Sequence, residues 1–464
     1  MRAAPPTREL LMAVPGDILG SPLAHSLPLV AGELARPLAH HGGFVISAGR
    51  FIAHAQALAA ELPEGDAVVN LCEDRYAFLL GFAAALIAGR TTLLPPSRAP
   101  QAVAEILARH PGAVALSDRA LDPPPPSLFV ARAFARPAPT FAPCNDAPRI
   151  AAALTAVIGY TSGSTGLPRA QGKTWGALNA SNAGNQALFE AALGPRFNIL
   201  ATVPPQHMYG LELSVLLPLL GNAAVDGGRP FLPADIAAAL AALPAPRLLV
   251  ATPVHLRALL DAGVALPCEA ITSATAPLDP RLAAAIETAS GAPLLEVFGS
   301  TETCVFAARR PAHDILWAPY RGVRVHPQPD GMRVEAPQLA EPVILADLIE
   351  LAADGRFRLA GRAVDLIEIA GKRASLGDLT QRLLAIPGVT DAAVVQLERA
   401  DAAGVRRIAA AVVAPGLDTA TILAALRAVV DPVFLPRPLR RVDALPRSAT
   451  GKLPRAALLE LLGS

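Results

Sequence analysis

The sequence predicts an α/β fold, in which parallel-rich sheets covered by helices form a large N-terminal domain and a small α+β C-terminal domain follows. Two patterns predict this class. Short apolar runs alternate with Ala/Leu-rich helical segments from residue 66 onward, which is typical of a parallel sheet with helical crossovers. After Gly361 the alternation gives way to a mixed pattern of helices and strands. We therefore predict a large domain over residues 1–360 and a small one over residues 361–464.

The elements follow from local composition. Runs rich in Val, Leu and Thr predict strands, Ala/Leu-rich runs predict helices, and prolines such as Pro95 and Pro96 end a strand. The proline-rich stretch 122–148 predicts a loop within the large domain. The predicted strands are 66–71, 91–94, 112–116, 156–160, 198–203, 247–251, 270–273, 294–297, 391–396 and 407–413, and the predicted helices are 76–87, 102–109, 375–384 and 419–429.

Charge and cysteine usage exclude several classes of protein. With 40 Lys+Arg against 39 Asp+Glu, the chain has no positive field to hold nucleic acid or anionic lipid. Its 4 cysteines share no CxxC spacing, which argues against a zinc cluster or disulfide framework and favours a reducing compartment. The most apolar run is far shorter than the roughly 20 residues of a membrane span. We expect a cytoplasmic protein with no membrane span and no nucleic-acid partner.

A run of glycines and hydroxyl residues follows one predicted strand. Residues 160–166 read YTSGSTG, and such a loop can wrap nucleotide phosphates, although by itself it also fits a plain surface loop. Gly172-Lys173-Thr174 resembles the end of a Walker loop, but Leu167 stands where that pattern requires glycine, which disfavours a P-loop NTPase. The G-x-S-x-G elbow of α/β-hydrolases is also missing from the sequence.

Several further motifs follow this loop in a fixed order. The strings are YTSGSTGLPR (160–169), PPQHMYG (204–210), SATAPL (273–278), FGSTE (298–302), Asp347, Gly361-Arg362, Gly371-Lys372-Arg373 and LPRSATGKLPR (445–455). Together they resemble the acyl-adenylate-forming superfamily, which contains acyl-CoA synthetases, peptide-synthetase adenylation domains and luciferases. The match runs from about Asp66 to Arg455.

The resemblance implies an enzyme that converts a carboxylic acid and ATP into an acyl-adenylate and pyrophosphate, and then passes the acyl group to a thiol. Lys452 is expected to neutralise charge between the carboxylate and the α-phosphate. Glu302 is expected to hold Mg²⁺, and Thr301 to donate to the α-phosphate. His207 is expected beside the carboxylate, with a purely structural histidine as the alternative. The small domain carrying Lys452 is expected to be mobile.

The resemblance also implies the nucleotide contacts. Asp347 is expected to accept hydrogen bonds from the ribose hydroxyls, with a turn cap as the alternative. Arg362 is expected to reach the ribose or a phosphate, and Arg373 the nucleotide once the small domain turns. The other predicted nucleotide-binding residues are Thr161, Ser162, Gly163, Ser164, Thr165, Gly166, Arg169, Lys173, Thr275, Ala276, Pro277, Phe298 and Gly299.

The chain departs from the family pattern at two places. Arg169 stands where the family has lysine, and Lys173, one of only three lysines in the chain, is an alternative source of a flexible ammonium. At the expected hinge the chain has Val364, and Asp365 could serve with a shifted register. An inactive homologue with a scaffold or regulatory role is therefore an alternative to an enzyme.

The thiol acceptor is expected to be external, because no carrier domain follows Arg455 in this sequence. The segment from Glu368 to Leu376 resembles the stand-alone ligases of bacterial aryl polyene and pigment pathways, which load aryl or acyl acids onto carrier proteins. We therefore expect a separate acyl carrier protein as acceptor, with CoA as the alternative. The basic segment 436–441 fits either anionic partner. The sequence does not identify the acid.

Overall fold

The protein is described from a computed structural model, which covers residues 26–95, 98–161, 169–362, 366–369, 372–400, 406–447 and 453–463. Two large parallel-rich sheets with helices packed on them lie between residues 37 and 319. A smaller α+β region follows. The predicted α/β class is confirmed, whereas the boundary between residues 360 and 361 stays a prediction.

The first large sheet has six strands and confirms the predicted βαβαβ alternation. Its neighbouring strands are parallel except at one edge, where Arg169–Thr174 runs antiparallel to Thr155–Thr161. We call this pair the edge hairpin. In spatial order the strands are Arg169–Thr174, Thr155–Thr161, Thr91–Leu94, Ala67–Asn70, Ala113–Ser117 and Leu128–Val130, and the helices Arg75–Ile87 and Pro100–Arg109 connect them.

The second large sheet has nine strands, of which the central six are parallel. Near one end Leu294–Ser300 turns back into the antiparallel Cys304–Arg309, and we call this pair the Glu302 hairpin. In spatial order the strands are Ala318–Pro319, Cys304–Arg309, Leu294–Ser300, Ala270–Ser273, Arg247–Ala251, Phe197–Ala201, Ala223–Asp226, Pro37–His41 and Phe44–Ser47. The helices around it are Ala48–Glu61, Trp175–Leu193, Met208–Leu211, Leu217–Leu220, Pro233–Ala242, Pro253–Asp261 and Pro280–Ser290, with a π-helical segment at Glu212–Leu216.

A buried arginine joins the two large sheets. Arg75 begins the Ala-rich helix Arg75–Ile87, which is buried almost throughout and was predicted as a buried helix rather than a membrane span. Its guanidinium donates to the carbonyl oxygens of Ala201 at 2.7 Å and Val203 at 2.8 Å, beside one strand of the nine-stranded sheet. Within the described parts of the chain, none of the helices combines the length and apolar character that crossing a bilayer requires.

The remaining strands form small antiparallel or mixed units. Apolar residues between Ile367 and Leu435, among them Leu383 and Val412, pack into a cluster of their own, so the C-terminal region has a separate core. The strands are Ser26–Pro28 with Arg149–Ala151; Arg324–Gln328, Gly331–Glu335 and Val343–Leu345; Asp347–Leu351 with Phe357–Arg362; Leu366–Ile369 with Lys372–Ser375; and Asp391–Ala400, Arg406–Val413 and Leu439–Arg441. The remaining helices are Leu376–Leu384, Thr419–Arg427 and Arg455–Leu462, with 3₁₀ turns at Arg132–Ala135, Ala138–Thr140 and Pro432–Phe434.

The edge hairpin corrects one expectation. The predicted strands do not include the segment from Arg169 to Lys173, but this segment is a strand. Gln171 pairs with Gly159 and Lys173 with Val157, so the ladder fixes the direction of each side chain along it. A strand whose partner lies on the other side of a loop was not visible in the local sequence pattern.

Candidate active site

The two hairpins meet at Gly159. A Cβ built on Gly159 would lie 3.0 Å from Cγ2 of Thr301, which is tighter than an ordinary contact. Glycine at this position therefore allows the Glu302 hairpin to approach the strand that leads into the predicted phosphate loop. The structure thus brings Thr301 beside the edge hairpin, although the two motifs are more than 100 residues apart in the sequence.

Glu302 lies at the centre of a three-residue turn formed by residues 301–303, which we call the Glu302 turn. Ser300 and Cys304 pair directly across it. A Cβ on Gly299 would overlap the carbonyl oxygen of Cys304, so any larger residue there would force the hairpin to shift. Steric contact therefore explains why the predicted FGSTE motif has glycine at this position.

The Glu302 turn is held internally by hydroxyl groups. Thr303 Oγ1 accepts the N–H of Ser300 at 3.1 Å and donates to the carbonyl oxygen of Cys304 at 2.9 Å. The Thr303 side chain is fully buried, whereas Thr301 and Glu302 are half-buried. The turn therefore keeps the two predicted ligand-binding side chains accessible on a backbone that is held in part by its own hydroxyl groups.

Lys173 contacts this turn from the edge hairpin. Its ammonium donates a hydrogen bond to the carbonyl oxygen of Glu302, and its side chain is only 8% exposed. Arg169 stands at the other end of the same strand, where its backbone pairs with Thr161. The structure therefore separates the two cations that the sequence treated as alternatives: Lys173 reaches a backbone carbonyl, and Arg169 lies next to the predicted phosphate loop.

Two buried polar residues beside the Glu302 turn were not predicted. Glu212 accepts hydrogen bonds from Ser181 Oγ at 2.9 Å and from the N–H of Val305 at 3.1 Å, and burial raises the pKa of its carboxyl to about 7. Gln338 donates to the carbonyl oxygen of Thr303 at 3.0 Å. Leucines flank Glu212 on both sides, which is a sequence signal of a buried carboxylate; Gln338 has no comparable local signal.

The predicted acyl-pocket motif begins the short helix Met208–Leu211. His207 is the N-cap residue of this helix and is half-buried. A Cβ on Gly210 would overlap the carbonyl oxygen of Pro204, so this turn also requires glycine. The motif therefore forms a tight turn whose geometry sets the position of His207.

Tyr209 ties this motif to the nine-stranded sheet. Its buried hydroxyl lies 3.0 Å from the carbonyl oxygen of Ala251 and 3.1 Å from that of Thr272. These carbonyls stand at the carboxyl ends of two neighbouring parallel strands, the edge where ligands bind in open α/β sheets. The structure thus brings the motif that carries His207 to the strand that precedes the predicted adenine-binding turn.

The predicted adenine-binding turn, residues 274–277, is called here the Thr275 turn. Thr275 has a φ of +79°, which is strained for a β-branched residue. Ala276 is half-buried, and Pro277 is exposed. Just after the turn, the N–H of Leu278 donates to Oε1 of Glu296 at 3.1 Å. The turn therefore presents its backbone outward from the end of the strand.

Phe298 lies on the Glu302 hairpin, and its ring contacts those of Phe306 and Trp317 at centroid distances of 5.3 and 5.1 Å. These rings pack the hairpin onto the small sheets that follow. Phe298 is half-buried, so one part of its surface stays accessible beside the Glu302 turn.

The two predicted ribose contacts are brought together. Asp347 begins one strand and Arg362 ends the next, and the antiparallel register places them directly opposite each other. Asp347 is half-buried. Arg373 lies in a separate hairpin, opposite Glu368. Lys452, Val364, Asp365 and the phosphate-loop residues Ser162, Gly163, Ser164, Thr165 and Gly166 lie outside the described residues.

A cavity of about 440 Å³ lies away from the Glu302 hairpin, lined in part by His41, Asp74 and Tyr76. Strand Pro37–His41, which carries His41, stands five places from Leu294–Ser300 in the nine-stranded sheet. At about 4.8 Å per strand this is roughly 24 Å. The cavity and the Glu302 hairpin are therefore separate features.

Two family models match the chain. The model described as AMP-binding enzyme matches residues 50–326, and the model described as AMP-binding enzyme C-terminal domain matches residues 380–452. This chain belongs to the AMP-binding enzyme family. The resemblance to the acyl-adenylate-forming superfamily is confirmed, and the protein is an AMP-forming ligase of an ATP-using family.

Curated relatives of this AMP-binding enzyme include two CoA ligases. A 4-coumarate–CoA ligase from Halorhodospira halophila is 31% identical over 63% of this chain and 73% of its own length. A sulfoacetate–CoA ligase from Cupriavidus necator is 30% identical over 72% of this chain and 70% of its own length. An isonitrile lipopeptide synthase from Streptomyces coeruleorubidus is 36% identical, over 31% of this chain and 10% of its own length.

Solved structures show the same fold. ATP-bound MatB from Rhodopseudomonas palustris has a TM-score of 0.77 at 19% identity, with 92% of this chain and 97% of that chain covered. An o-succinylbenzoate CoA synthetase from Bacillus subtilis, in complex with its acyl-adenylate, has a TM-score of 0.75 at 18% identity, with 91% and 95% covered. These identities support the fold of the AMP-binding enzyme, and the roles of its individual residues remain proposals.

Proposed function

We propose that this AMP-binding enzyme activates an aryl or fatty acid with ATP and transfers the acyl group to the phosphopantetheine thiol of a separate acyl carrier protein. In the first step a carboxylate oxygen bonds to the α-phosphorus, and the bond to pyrophosphate breaks. In the second step the thiol loses its proton, its sulfur bonds to the acyl carbon, and AMP leaves. The contact between the edge hairpin and the Glu302 turn supports the first step, because it unites the two motifs expected to hold the triphosphate.

The Glu302 carboxylate fits a magnesium–nucleotide site. No group of three or more His, Cys, Asp or Glu side chains that could hold a metal ion occurs among the described residues. Mg²⁺ at nucleotides is typically bound by one or two carboxylates together with phosphate oxygens, so a single accessible carboxylate on a rigid turn is sufficient. Mg²⁺ would neutralise phosphate charge there, and Thr301 would donate to the α-phosphate.

Two buried hydroxyls support an adenine site at the Thr275 turn. The hydroxyls of Thr272 and Ser273 have no hydrogen-bond partner among the described residues. Buried polar groups are almost always satisfied, so a pair without partners directly before the turn fits a site that a polar ligand completes. Thr275, Ala276 and Pro277 would then contact the base.

The ribose and the carboxylate complete the proposed site. Asp347 would accept hydrogen bonds from the ribose, with Arg362 opposite it in the hairpin. His207 would lie beside the substrate carboxylate at the N-cap of its helix. Lys452, from the C-terminal region, would neutralise the charge that develops as the carboxylate meets the α-phosphate.

An exposed basic strand supports a protein acceptor. Arg440 and Arg441 lie on the strand Leu439–Arg441 at the edge of the C-terminal sheet, Arg437 precedes it, and all three side chains are exposed. A carrier protein presents an acidic helix, which such a surface complements. CoA is the second candidate acceptor, favoured by the relatives at 31% and 30% identity, both of which are CoA ligases.

Adenylation is tested by ATP–pyrophosphate exchange across a panel of aryl and fatty acids. We expect exchange that depends on one class of acid and falls by about a hundredfold or more in Lys452→Ala, because one preorganised charge contact is lost. The same variant should still transfer the acyl group from supplied acyl-adenylate. Absence of acid-dependent exchange in the wild type contradicts the proposed function, and normal exchange in the variant contradicts only the role of Lys452.

The acceptor is tested by offering limiting acyl-adenylate to CoA and to a holo carrier protein together. We expect the carrier to be acylated first, and the double variant Arg437→Glu/Arg441→Glu to slow carrier acylation while exchange stays normal. Arg196→Glu, a charge reversal at an exposed arginine of the large region, is the matched control. Acylation of CoA faster by about tenfold, roughly 1.4 kcal/mol in barrier, would instead assign CoA as the acceptor.

A further inference from the structure

Side chains from three separate elements bind the backbone at the Glu302 turn. Lys173, on the edge hairpin, donates to the carbonyl oxygen of Glu302. Gln338 donates to the carbonyl oxygen of Thr303 at 3.0 Å. The N–H of Val305 donates to both carboxylate oxygens of Glu212, each at 3.1 Å.

All three of these side chains are inside the protein. Lys173 is 8% exposed, Gln338 7% and Glu212 2%. A buried side chain has few alternative rotamers, and a carbonyl or amide left without its partner in such surroundings is costly. The three hydrogen bonds therefore hold the backbone of the turn in place.

The Glu302 turn needs support from other elements because it is short and carries a side chain that must be placed accurately. It contains three residues, and Cys304 just after it is held at a φ of +60°, a conformation that non-glycine residues rarely adopt. The Glu302 side chain is proposed to bind a metal, and a displacement of about 1 Å at such a group is enough to lose most of its effect. Rigid backbone contacts are the means by which a short turn can meet that tolerance.

We propose that Lys173, together with Gln338, is a positioning residue: it sets the location of the Glu302 carboxylate through the carbonyl group of the same residue, and so sets the affinity for magnesium–ATP. On this proposal Lys173 does not contact the phosphates, in contrast to the expectation from the sequence. The inference rests on the proposed function, since it concerns the metal-binding half of the same nucleotide site.

The test measures the dissociation constant of ATP by calorimetry, with excess Mg²⁺ and with EDTA. The variants are Lys173→Met and Gln338→Leu, which remove the two donors from different elements. We expect the dissociation constant of ATP in EDTA to stay as in the wild type. The gain from Mg²⁺, meaning the increase in ATP affinity over that in EDTA, should fall about tenfold in each variant, which is the loss expected when a buried hydrogen-bond partner is removed. The double variant should lose less than the product of the two effects, because both act on one turn.

Asn70→Leu is the matched control. Asn70 is fully buried, and its amide donates to the carbonyl oxygen of Phe78 at 2.9 Å, so the variant also removes a buried amide–carbonyl bond, but on a different strand. It should lower the free energy of unfolding and leave the gain from Mg²⁺ unchanged.

The outcomes separate the alternatives. Equal weakening of ATP binding with and without Mg²⁺ in Lys173→Met would show that the ammonium contacts the phosphates and would overturn the inference. An unchanged gain from Mg²⁺ in both variants would overturn it as well. If Lys173→Met does not fold, the result with Gln338→Leu decides. A wild-type chain that binds no ATP under either condition contradicts the proposed function, and the inference falls with it.

Discussion

The Glu302 turn and the Thr275 turn follow neighbouring parallel strands of the same sheet, yet they are stabilised in different ways. Lys173, Gln338 and Glu212 bind the backbone at the Glu302 turn from three other elements. The Thr275 turn instead carries a strained φ of +79° at an exposed residue. The turn proposed to place a charge is held by buried side chains from three other elements. The turn proposed to meet a planar base combines one buried carboxylate, Glu296, which accepts the N–H of Leu278, with a strained backbone. A charge demands exact placement because its interaction falls steeply with misplacement.

The largest expected effect comes from Glu302→Gln. The buried side chains bind backbone atoms at this turn, so the fold should be preserved while the metal-binding charge is lost. We expect ATP–pyrophosphate exchange to fall by about a hundredfold or more, with an unchanged free energy of unfolding. Glu341→Gln, at an exposed glutamate, is the control. Exchange within about threefold of the wild type, roughly 0.7 kcal/mol in barrier, would remove Glu302 from the proposed site.

Glu212→Gln tests how the contribution of Glu212 to the free energy of unfolding depends on pH. Burial raises the pKa of Glu212 from 4.5 to about 7 in the folded chain. Because the folded pKa is the higher one, the stability from this group is fully present below pH 4.5 and is lost as the pH rises through 7. The loss amounts to about 3 kcal/mol.

The difference in unfolding free energy between the wild type and Glu212→Gln should therefore change across that interval, in favour of the variant at higher pH. Urea titrations at a series of pH values measure it. Glu105→Gln, at an exposed carboxylate, should keep the wild-type profile. Parallel profiles for the wild type and Glu212→Gln would contradict the prediction.

Gly299→Ala should destabilise the Glu302 hairpin through a steric clash. The new methyl group would overlap the carbonyl oxygen of Cys304, and overpacking of this kind costs about 1–3 kcal/mol in unfolding free energy. Gly172→Ala is the matched control in the neighbouring hairpin, because a Cβ there meets only Cγ2 of Thr155 at 3.7 Å. Chemical denaturation compares them, and equal stability of the two variants would show that the hairpin can relax.

Thr275→Gly should have the smallest effect. Glycine adopts a positive φ without strain, but it also has more freedom to lose on folding, so we expect a gain of no more than about 1 kcal/mol in unfolding free energy. Thr140→Gly, at an exposed threonine without a positive φ, should destabilise instead. Thermal denaturation compares the pair. A clear destabilisation by Thr275→Gly would mean that the threonine side chain, rather than the backbone, holds the turn.

The sequence by itself determined the fold class and the family. Strand 247–251 was predicted to the residue, because an apolar run bounded by prolines, here Pro246 and Pro253, is a local signal. The motif order identified the family through residues such as Glu302 and Gly299, whose identity is set by chemistry or by steric contact within a few positions along the chain. The pairing of Asp347 with Arg362 required the structure, since it depends on the register of a hairpin with a bulge.

Only the tertiary structure decided what supports the site. Lys173 and Glu302 are 129 positions apart, Glu212 and Val305 are 93 apart, and Gln338 and Thr303 are 35 apart. Local patterns report how a residue continues its own strand or helix, and they carry no information on which distant backbone a buried polar side chain will meet. That is set when the two sheets pack together, because packing removes water from these groups and leaves each of them only the partner that the fold supplies.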